Sequence, residues 1–224
     1  MTVDTVFLDE LASASPTPGG GGGAAYAGAV ASALASMVAN LTLGKQAYAA
    51  VEPEVEDAIA RLAASRKRLL GLVDEDAAAF QPIADAYRMP SSTAAQAQAK
   101  HDAIQAGLPR ACEVPLVIMG ECISVMEVCV FLAAHGSRLA VSDAGAGAVV
   151  ANGALQAASL NIYINADAMD DARQADRFRS QAGAMMRQGA CLADDAYNKV
   201  AQKLGAPPLH ETVGLVPAEE RGAS

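Results

Sequence analysis

The stretch that decides the fold is residues 16–44, which read PTPGGGGGAAYAGAVASALASMVANLTLG. Two prolines hold the chain extended, and five consecutive glycines then admit backbone conformations that are closed to other residues. The alanine-rich part predicts a long helix over 22–43, whose first N–H groups face the glycine loop and could cradle polar or anionic ligand atoms. A flexible linker is the alternative that glycine content alone leaves open. The short amphipathic segment directly before the loop favours a turn within a domain.

The composition indicates a single helical domain. The chain has 224 residues, of which 52% are hydrophobic but only 4% are aromatic, so its core consists of small aliphatic side chains suited to close helix packing. The net charge of -9 argues against a nucleic-acid partner. Residues 24–43 and 111–134 are apolar enough to resemble membrane spans. Small and polar residues in the first and glutamates in the second favour core helices, so we expect no membrane association.

The cellular compartment is predicted from the N-terminus and the cysteines. The first residues lack the basic and apolar regions of a signal peptide. The four cysteines lie among apolar neighbours without C-x-x-C spacing, which predicts buried thiols in a cytoplasmic protein. The three histidines are scattered along the sequence, so we expect no histidine-based metal site.

Hydrophobic periodicity predicts an all-α fold. We expect a single-domain bundle of about seven helices over residues 1–205, packed closely through alanine and glycine, with a tail over 206–224. Ser142-Asp143 resembles an N-cap pair, whereas residues 160–165 fit either a helix or a strand. The predicted helices are 3–13, 22–43, 52–88, 92–107, 110–135, 142–159 and 168–204.

Asp76 is the first candidate for chemistry. In a helix it falls in the middle of an apolar face formed by Leu69, Leu72, Val73, Phe80, Ile83 and Tyr87. An acid in such surroundings should have a raised pKa and could act as a general acid or base at neutral pH. The structural alternative is an aspartate bonded to a neighbouring helix end or to Lys or Arg.

Three further positions are candidates with structural alternatives. Lys45 follows the glycine-led helix and is either a partner of the helix dipole or a cation directed into a cleft. Asn161 and Asn165 share a face if their segment is helical. Their amides could then bind the hydrogen-bonding edge of a heterocycle, or each could be a cap.

An ordered set of short motifs resembles the tetrahydrofolate cyclodeaminase/cyclohydrolase family. The resemblance extends to about residue 171, and the ordered set carries it rather than any single motif. The motifs are Leu11-Ala12-Ser13, Pro16-Thr17-Pro18-Gly19, the run from Ser36 to Lys45, Asp76-Ala77-x-Ala79-Phe80, Val114-Pro115-Leu116, Ser142-Asp143, and Asn161-x-x-x-Asn165 with Asp170 or Asp171 after it.

The resemblance implies an all-helical homodimer with a folate substrate, no cofactor beyond that tetrahydrofolate derivative and no metal. It implies that Asp76 is the catalytic acid, and we assign Lys45 as a second catalytic residue. The glycine loop and several polar positions would surround the folate. These substrate-binding residues are Gly19, Gly20, Gly21, Gly22, Asn40, Asp143, Asn161 and Asn165.

Two reactions fit such a site. We expect a methenyltetrahydrofolate cyclohydrolase, which hydrolyses 5,10-methenyltetrahydrofolate to 10-formyltetrahydrofolate. The alternative is a formiminotetrahydrofolate cyclodeaminase, which releases ammonia and forms the methenyl compound. We favour the cyclohydrolase because the sequence contains no formiminotransferase domain and its motifs look closer to those of stand-alone enzymes. A non-catalytic folate-binding or helical scaffold protein is a third hypothesis.

Overall fold

The structure, a computed structural model, describes residues 5–209, and in this range it contains six α-helices, two short 3-10 helices and no β-strand. The all-α prediction is confirmed. The predicted tail falls outside the described residues from position 210, as do the first two residues of the helix predicted over 3–13. The α-helices are α1 (Val6–Leu11), α2 (Gly20–Thr42), α3 (Glu52–Tyr87), α4 (Ala94–His135), α5 (Val141–Asp167) and α6 (Ala172–Leu204), and the 3-10 helices are Gln46–Val51 and Arg138–Ala140.

The described chain has six α-helices rather than about seven because α4 is continuous. It runs through Pro109 and Pro115, where the sequence predicted separate helices over 92–107 and 110–135. A proline inside a helix removes one N–H donor and leaves the carbonyl four residues earlier without its usual partner. For Pro115 that carbonyl belongs to Ala111, and the side-chain amide of Asn165 donates to it at 3.0 Å. A neighbouring helix therefore replaces the bond that the proline removes.

Helix α5 corrects two details of the sequence prediction. It begins at Val141 after Ala140, without a side-chain cap, so Ser142 and Asp143 lie inside its first turn and are not an N-cap pair. It also continues to Asp167, so the ambiguous residues 160–165 are helical. The extra turns place Asn161 and Asn165 on one face, as the helical alternative required.

Close packing of small side chains builds the core. Helix α4 contacts α2, α3, α5 and α6, and α5 packs between α2 and α6. The side-chain oxygen of Thr42, at the end of α2, accepts a hydrogen bond of 2.8 Å from Ser137 N, just before α5. A β-carbon at Gly28 would lie 3.1 Å from the sulfur of Cys122, which shows how closely α2 approaches α4. Three cysteines are buried as predicted, but Cys191 on α6 is exposed, so that part of the prediction is wrong.

Two helices have the length and apolar character of membrane spans. They are α2 and α4, and 56% of the apolar window of each is buried inside the bundle. The core helices of a folded domain pass the same test, so this observation is weak evidence for a membrane protein.

Candidate active site

Asp76 and the glycine loop form one structural unit. Asp76 lies on α3 where that helix faces the start of α2, and its Oδ2 accepts a 3.0 Å hydrogen bond from the backbone N–H of Gly22. A β-carbon at Gly21 would lie 2.1 Å from Oδ1 of Asp76, so only glycine lets the first turn of α2 approach the carboxylate this closely. A backbone N–H group in the first turn of α2, which has no partner within the helix, thus binds the side-chain carboxylate of Asp76.

The surroundings of Asp76 raise the pKa of its carboxyl group. The main cause is burial, which disfavours the charged form, and the hydrogen bond from Gly22 opposes it in part. In the described part of the chain, the hydrogen-bond partner of Asp76 is the N-terminal end of α2 and not Lys or Arg. Asp76 thus makes one of the bonds expected of a purely structural aspartate. Asp76 also lines an open cavity, however, where a carboxyl group of raised pKa can exchange protons with a ligand.

A cavity of about 240 Å³ lies in front of Asp76. Five predicted site residues line it, and Gly21 and Gly22 lie directly behind, against the carboxylate. Asp76 is the one ionisable side chain among the lining residues in the range 5–209. The lining residues are Pro16, Thr17, Gly19, Gly20, Asp76, Phe80, Ala111, Asn161, Ile164 and Asn165.

The two asparagines that line this cavity use their amide nitrogens in hydrogen bonds to the backbone. Nδ2 of Asn161 donates to the carbonyl of Ala157 at 3.1 Å, and Nδ2 of Asn165 donates to that of Ala111 at 3.0 Å. Because a carbonyl only accepts, these bonds fix which amide atom is the nitrogen. Each Oδ1 can then accept a hydrogen bond from a ligand. Together with the carboxylate, they make the cavity rich in acceptors, which suits a cationic ligand or one with several donors.

Three other predicted site residues lie far from this cavity within one chain. Lys45 follows the C-terminal end of α2, where its Nζ is 3.4 Å from Oγ of Ser137. Asn40 is near the same end, and its amide donates to the carbonyl of Ser36 at 2.8 Å. Asp143 lies in the first turn of α5. The 23 residues of α2 span about 34 Å, so Lys45 cannot reach Asp76 in the same chain.

The sequence prediction missed several residues that line the cavity. Pro16 and Thr17 belong to the loop motif, and Phe80 follows Asp76 by one helical turn, so their motifs could have indicated them. Ala111 and Ile164 carried no such signal, because only the packing of α4 and α5 brings them to the cavity. Within residues 5–209 there is no group of three or more His, Cys, Asp or Glu side chains that could hold a metal ion.

Comparison with known proteins identifies the family. A family model described as formiminotransferase-cyclodeaminase matches residues 4–184. The chain belongs to this family. It is 36% identical over 203 residues to a methenyltetrahydrofolate cyclohydrolase of Methylorubrum extorquens, a match that covers 91% of this chain and 97% of that protein. It is also 32% identical to the formimidoyltransferase-cyclodeaminase of Sus scrofa, over 75% of this chain but only 31% of that longer protein.

The family fold is also found in a solved structure. The crystal structure of formiminotetrahydrofolate cyclodeaminase from Thermotoga maritima superposes with a TM-score of 0.74 at 28% sequence identity. The match covers 91% of this chain and 96% of that one, so the likeness extends over nearly the whole helical bundle.

Proposed function

We propose that this protein is a methenyltetrahydrofolate cyclohydrolase in which Asp76 is the general acid and base. The observation that carries the proposal is the position of Asp76, held against the N-terminus of α2 and facing a cavity with no other ionisable side chain in the described residues. Similarity to the Methylorubrum cyclohydrolase over 97% of its length supports this choice of reaction.

The geometry suggests how Asp76 would act on the bridging one-carbon unit. As a carboxylate, Asp76 removes a proton from water while the water oxygen bonds to the amidinium carbon between nitrogens 5 and 10. The tetrahedral intermediate then breaks its bond to nitrogen 5, which takes the proton from Asp76. The remaining hydroxyl proton leaves to solvent as the formyl carbonyl forms on nitrogen 10. The sum is one water consumed and one proton released.

The charge of the substrate agrees with the acceptor-rich cavity. The methenyl bridge is a cation, and the lining residues offer one carboxylate, two amide oxygens and no positive side chain in the described range. Because electrostatic interactions are stronger in a partly desolvated site, this arrangement favours the cationic reactant over the neutral formyl product.

Cyclodeamination is the second candidate, favoured by the likeness to the Thermotoga enzyme. Nitrogen 10 would attack the formimino carbon, and Asp76 would protonate the departing ammonia. Both reactions pass through a tetrahedral carbon between the same two nitrogens, so one cavity could serve either. A non-catalytic folate-binding or scaffold protein is the third candidate.

In the deciding experiment, purified protein is mixed with 5,10-methenyltetrahydrofolate, and hydrolysis is measured as the loss of the near-ultraviolet absorbance of that compound. We expect the protein to hydrolyse this compound faster than buffer alone does. If the rate is the same as in buffer, the cyclohydrolase proposal is refuted. The formimino compound is assayed in parallel for ammonia, and faster ammonia release would establish the cyclodeaminase instead. Binding of a reduced folate without turnover of either compound would support the non-catalytic alternative.

The proposal also covers the oligomeric state and the cellular location of the protein. We propose a homodimer, supported by apolar side chains exposed on α2 and α5, among them Met37, Val149 and Leu160. We also propose a soluble cytoplasmic enzyme without a metal or nucleic-acid partner, in keeping with its acidic charge and buried apolar helices.

A further inference from the structure

Pro115 occupies an unfavourable position. It is buried and lies almost at the midpoint of α4. Proline is the residue that a helix interior tolerates least, because its ring takes the place of an N–H group and clashes with the carbonyl four residues earlier. For Pro115 that carbonyl belongs to Ala111, which lines the cavity in front of Asp76. The helix is therefore interrupted at the wall of the candidate active site.

The carbonyl that Pro115 frees is bound by a side chain of α5. Nδ2 of Asn165 donates a hydrogen bond of 3.0 Å to it. With any other residue at position 115, the regular helical pattern would pair this carbonyl with the backbone N–H of that residue. Because Pro115 has no N–H group, Asn165 binds a carbonyl for which no helical donor competes.

Asn161, the other asparagine of the cavity, is held differently. Its Nδ2 donates at 3.1 Å to the carbonyl of Ala157, four residues earlier on the same helix. The regular pattern of α5 already pairs that carbonyl with the backbone N–H of Asn161, so the side chain shares an occupied acceptor. A shared acceptor holds an amide less firmly than one that a proline has freed. Pro115 thus distinguishes Asn165 as the amide with the better defined orientation.

The oxygen of the Asn165 amide is open to the cavity. Asn165 is only 9% exposed, and it lines the cavity together with Ala111. Within residues 5–209, Oδ1 of Asn152 is the one fully buried side-chain oxygen or nitrogen that lacks a hydrogen-bond partner. Oδ1 of Asn165 has no partner in those residues either, so it keeps access to solvent. The cavity is the open space that this residue borders.

We propose that Pro115 is a positioning residue that makes Asn165 a hydrogen-bond acceptor for the ligand. With its nitrogen held by Ala111, Asn165 offers only its oxygen to the cavity, so the site prefers a heterocycle that presents an N–H or NH2 donor there. An amide that was free to turn over would also bind a ring carbonyl with its own N–H groups. The inference rests on the proposed function for the identity of the ligand, a reduced folate, but the orientation of the amide does not.

The orientation is tested in the ligand-free protein by NMR of the isotope-labelled full chain. The measured quantity is hydrogen exchange of the Asn165 side-chain amide, whose signals are identified by their absence in Asn165→Ala. Pro115→Ala and Pro115→Val each restore a competing N–H, and Pro115→Val also fills the space of the ring. We expect either change to accelerate the exchange by at least about fivefold. Exchange as slow as in the wild type in both variants would overturn the proposal.

Pro109→Ala is the matched control for this experiment. It also restores an N–H group inside α4, but the carbonyl that receives it belongs to Gln105. Gln105 is not among the described residues that line the cavity. The exchange of the Asn165 amide should therefore stay as in the wild type. Equal acceleration by Pro109→Ala would show that the effect comes from a general change in α4, and this result would also refute the proposal.

The consequence for the ligand is tested by calorimetric binding of a reduced folate and by the absorbance assay. Pro115→Ala should weaken binding and raise KM by about three- to tenfold, the effect of one hydrogen bond, with kcat nearly unchanged because Asp76 is untouched. A purely structural role would lower stability without this difference between KM and kcat. Pro109→Ala should bind the folate as the wild type does.

The dependence on Asn165 is tested by combining the two changes. In an Asn165→Ala background, Pro115→Ala should alter folate affinity by less than about twofold, because the amide that it positions is gone. The same loss in both backgrounds, or wild-type affinity of Pro115→Ala alone, would refute the inference and leave the proposed function standing. The expected exchange rates in a chain that binds no reduced folate would instead refute the proposed function and confirm the fixed amide.

Discussion

The carboxylate of Asp76 fills the space that a β-carbon at Gly21 would need. The distance from that β-carbon position to Oδ1 is 2.1 Å, and to Oδ2 it is 2.5 Å. The backbone N–H of Gly22 binds the same carboxylate from the next residue. The first turn of α2 therefore holds the acid in place, and the glycine at position 21 is required by the position of Asp76.

Replacing Gly21 by alanine should displace Asp76. We expect a loss of about 1–3 kcal/mol in stability from overpacking and at least about 100-fold in turnover, because the acid loses its position. The measurements are urea unfolding and the absorbance assay. Gly71→Ala is the matched control: this exposed glycine on α3 has nothing within 4 Å of its β-carbon position. The Gly71→Ala variant should have a free energy of unfolding higher by about 0.5–1 kcal/mol and unchanged turnover. Equal effects of the two changes would contradict the steric argument.

Asp76→Asn should abolish proton transfer while leaving the cavity almost unchanged in shape. We expect turnover to fall by about 100- to 10,000-fold, with folate affinity largely retained, because an amide keeps an acceptor for the Gly22 N–H but cannot exchange protons. The measurements are the absorbance assay and calorimetric binding of a reduced folate. Asp74→Asn, an exposed acid two residues earlier, is the control and should behave like the wild type. Retained turnover in Asp76→Asn would refute the assignment.

The raised pKa of Asp76 predicts a stability cost at neutral pH. Its ordinary pKa is 3.8 and burial raises it in the folded state, so the folded protein holds this proton more tightly than the unfolded chain does. The associated stability is fully present below the unfolded pKa and is lost as pH rises through the folded pKa. Asp76→Asn should therefore be the more stable protein at pH 7, and the difference should shrink toward acid pH. Urea unfolding across pH 3–8 measures this, and a constant difference would contradict it.

Asn165 and Pro115 should be energetically coupled. Asn165→Ala removes the donor that the proline-freed carbonyl of Ala111 uses, at a cost of about 1–3 kcal/mol for an unsatisfied buried group. Pro115→Ala restores a helical N–H to that carbonyl. The double variant should thus be less destabilised than the sum of the single ones by about 1 kcal/mol, measured as a double-mutant cycle in urea unfolding. Strict additivity would show that the side-chain bond contributes nothing to the continuity of α4.

Thiol chemistry should distinguish one cysteine from the other three. Burial raises the pKa of Cys112, Cys122 and Cys129 to about 12, which leaves almost no thiolate at neutral pH, whereas Cys191 is exposed. A chromogenic disulfide reagent should titrate about one thiol per native chain and about four after unfolding. The Cys191→Ser variant should give none while native. Rapid reaction of a second thiol would show that the packing of α4 against its neighbouring helices opens.

The sequence was sufficient for features that depend on local spacing. Helical periodicity is set by neighbours three and four residues away, so it predicted the helical class and placed Asp76 on the inward face of its helix. It could not predict that α4 continues through Pro115, because the replacement donor, Asn165, comes from another helix 54 positions along the chain.

Which candidates meet was decided by tertiary packing alone. The sequence ranked Lys45 and Asn161 as members of one site, but the antiparallel arrangement of α2 and α5 puts them at opposite ends of the bundle. A rigid helix fixes the distance between its ends, and no local pattern records which end of its neighbour lies beside it. The order of residues therefore determined the helices and the buried acid, and only the packing of those helices determined the cavity.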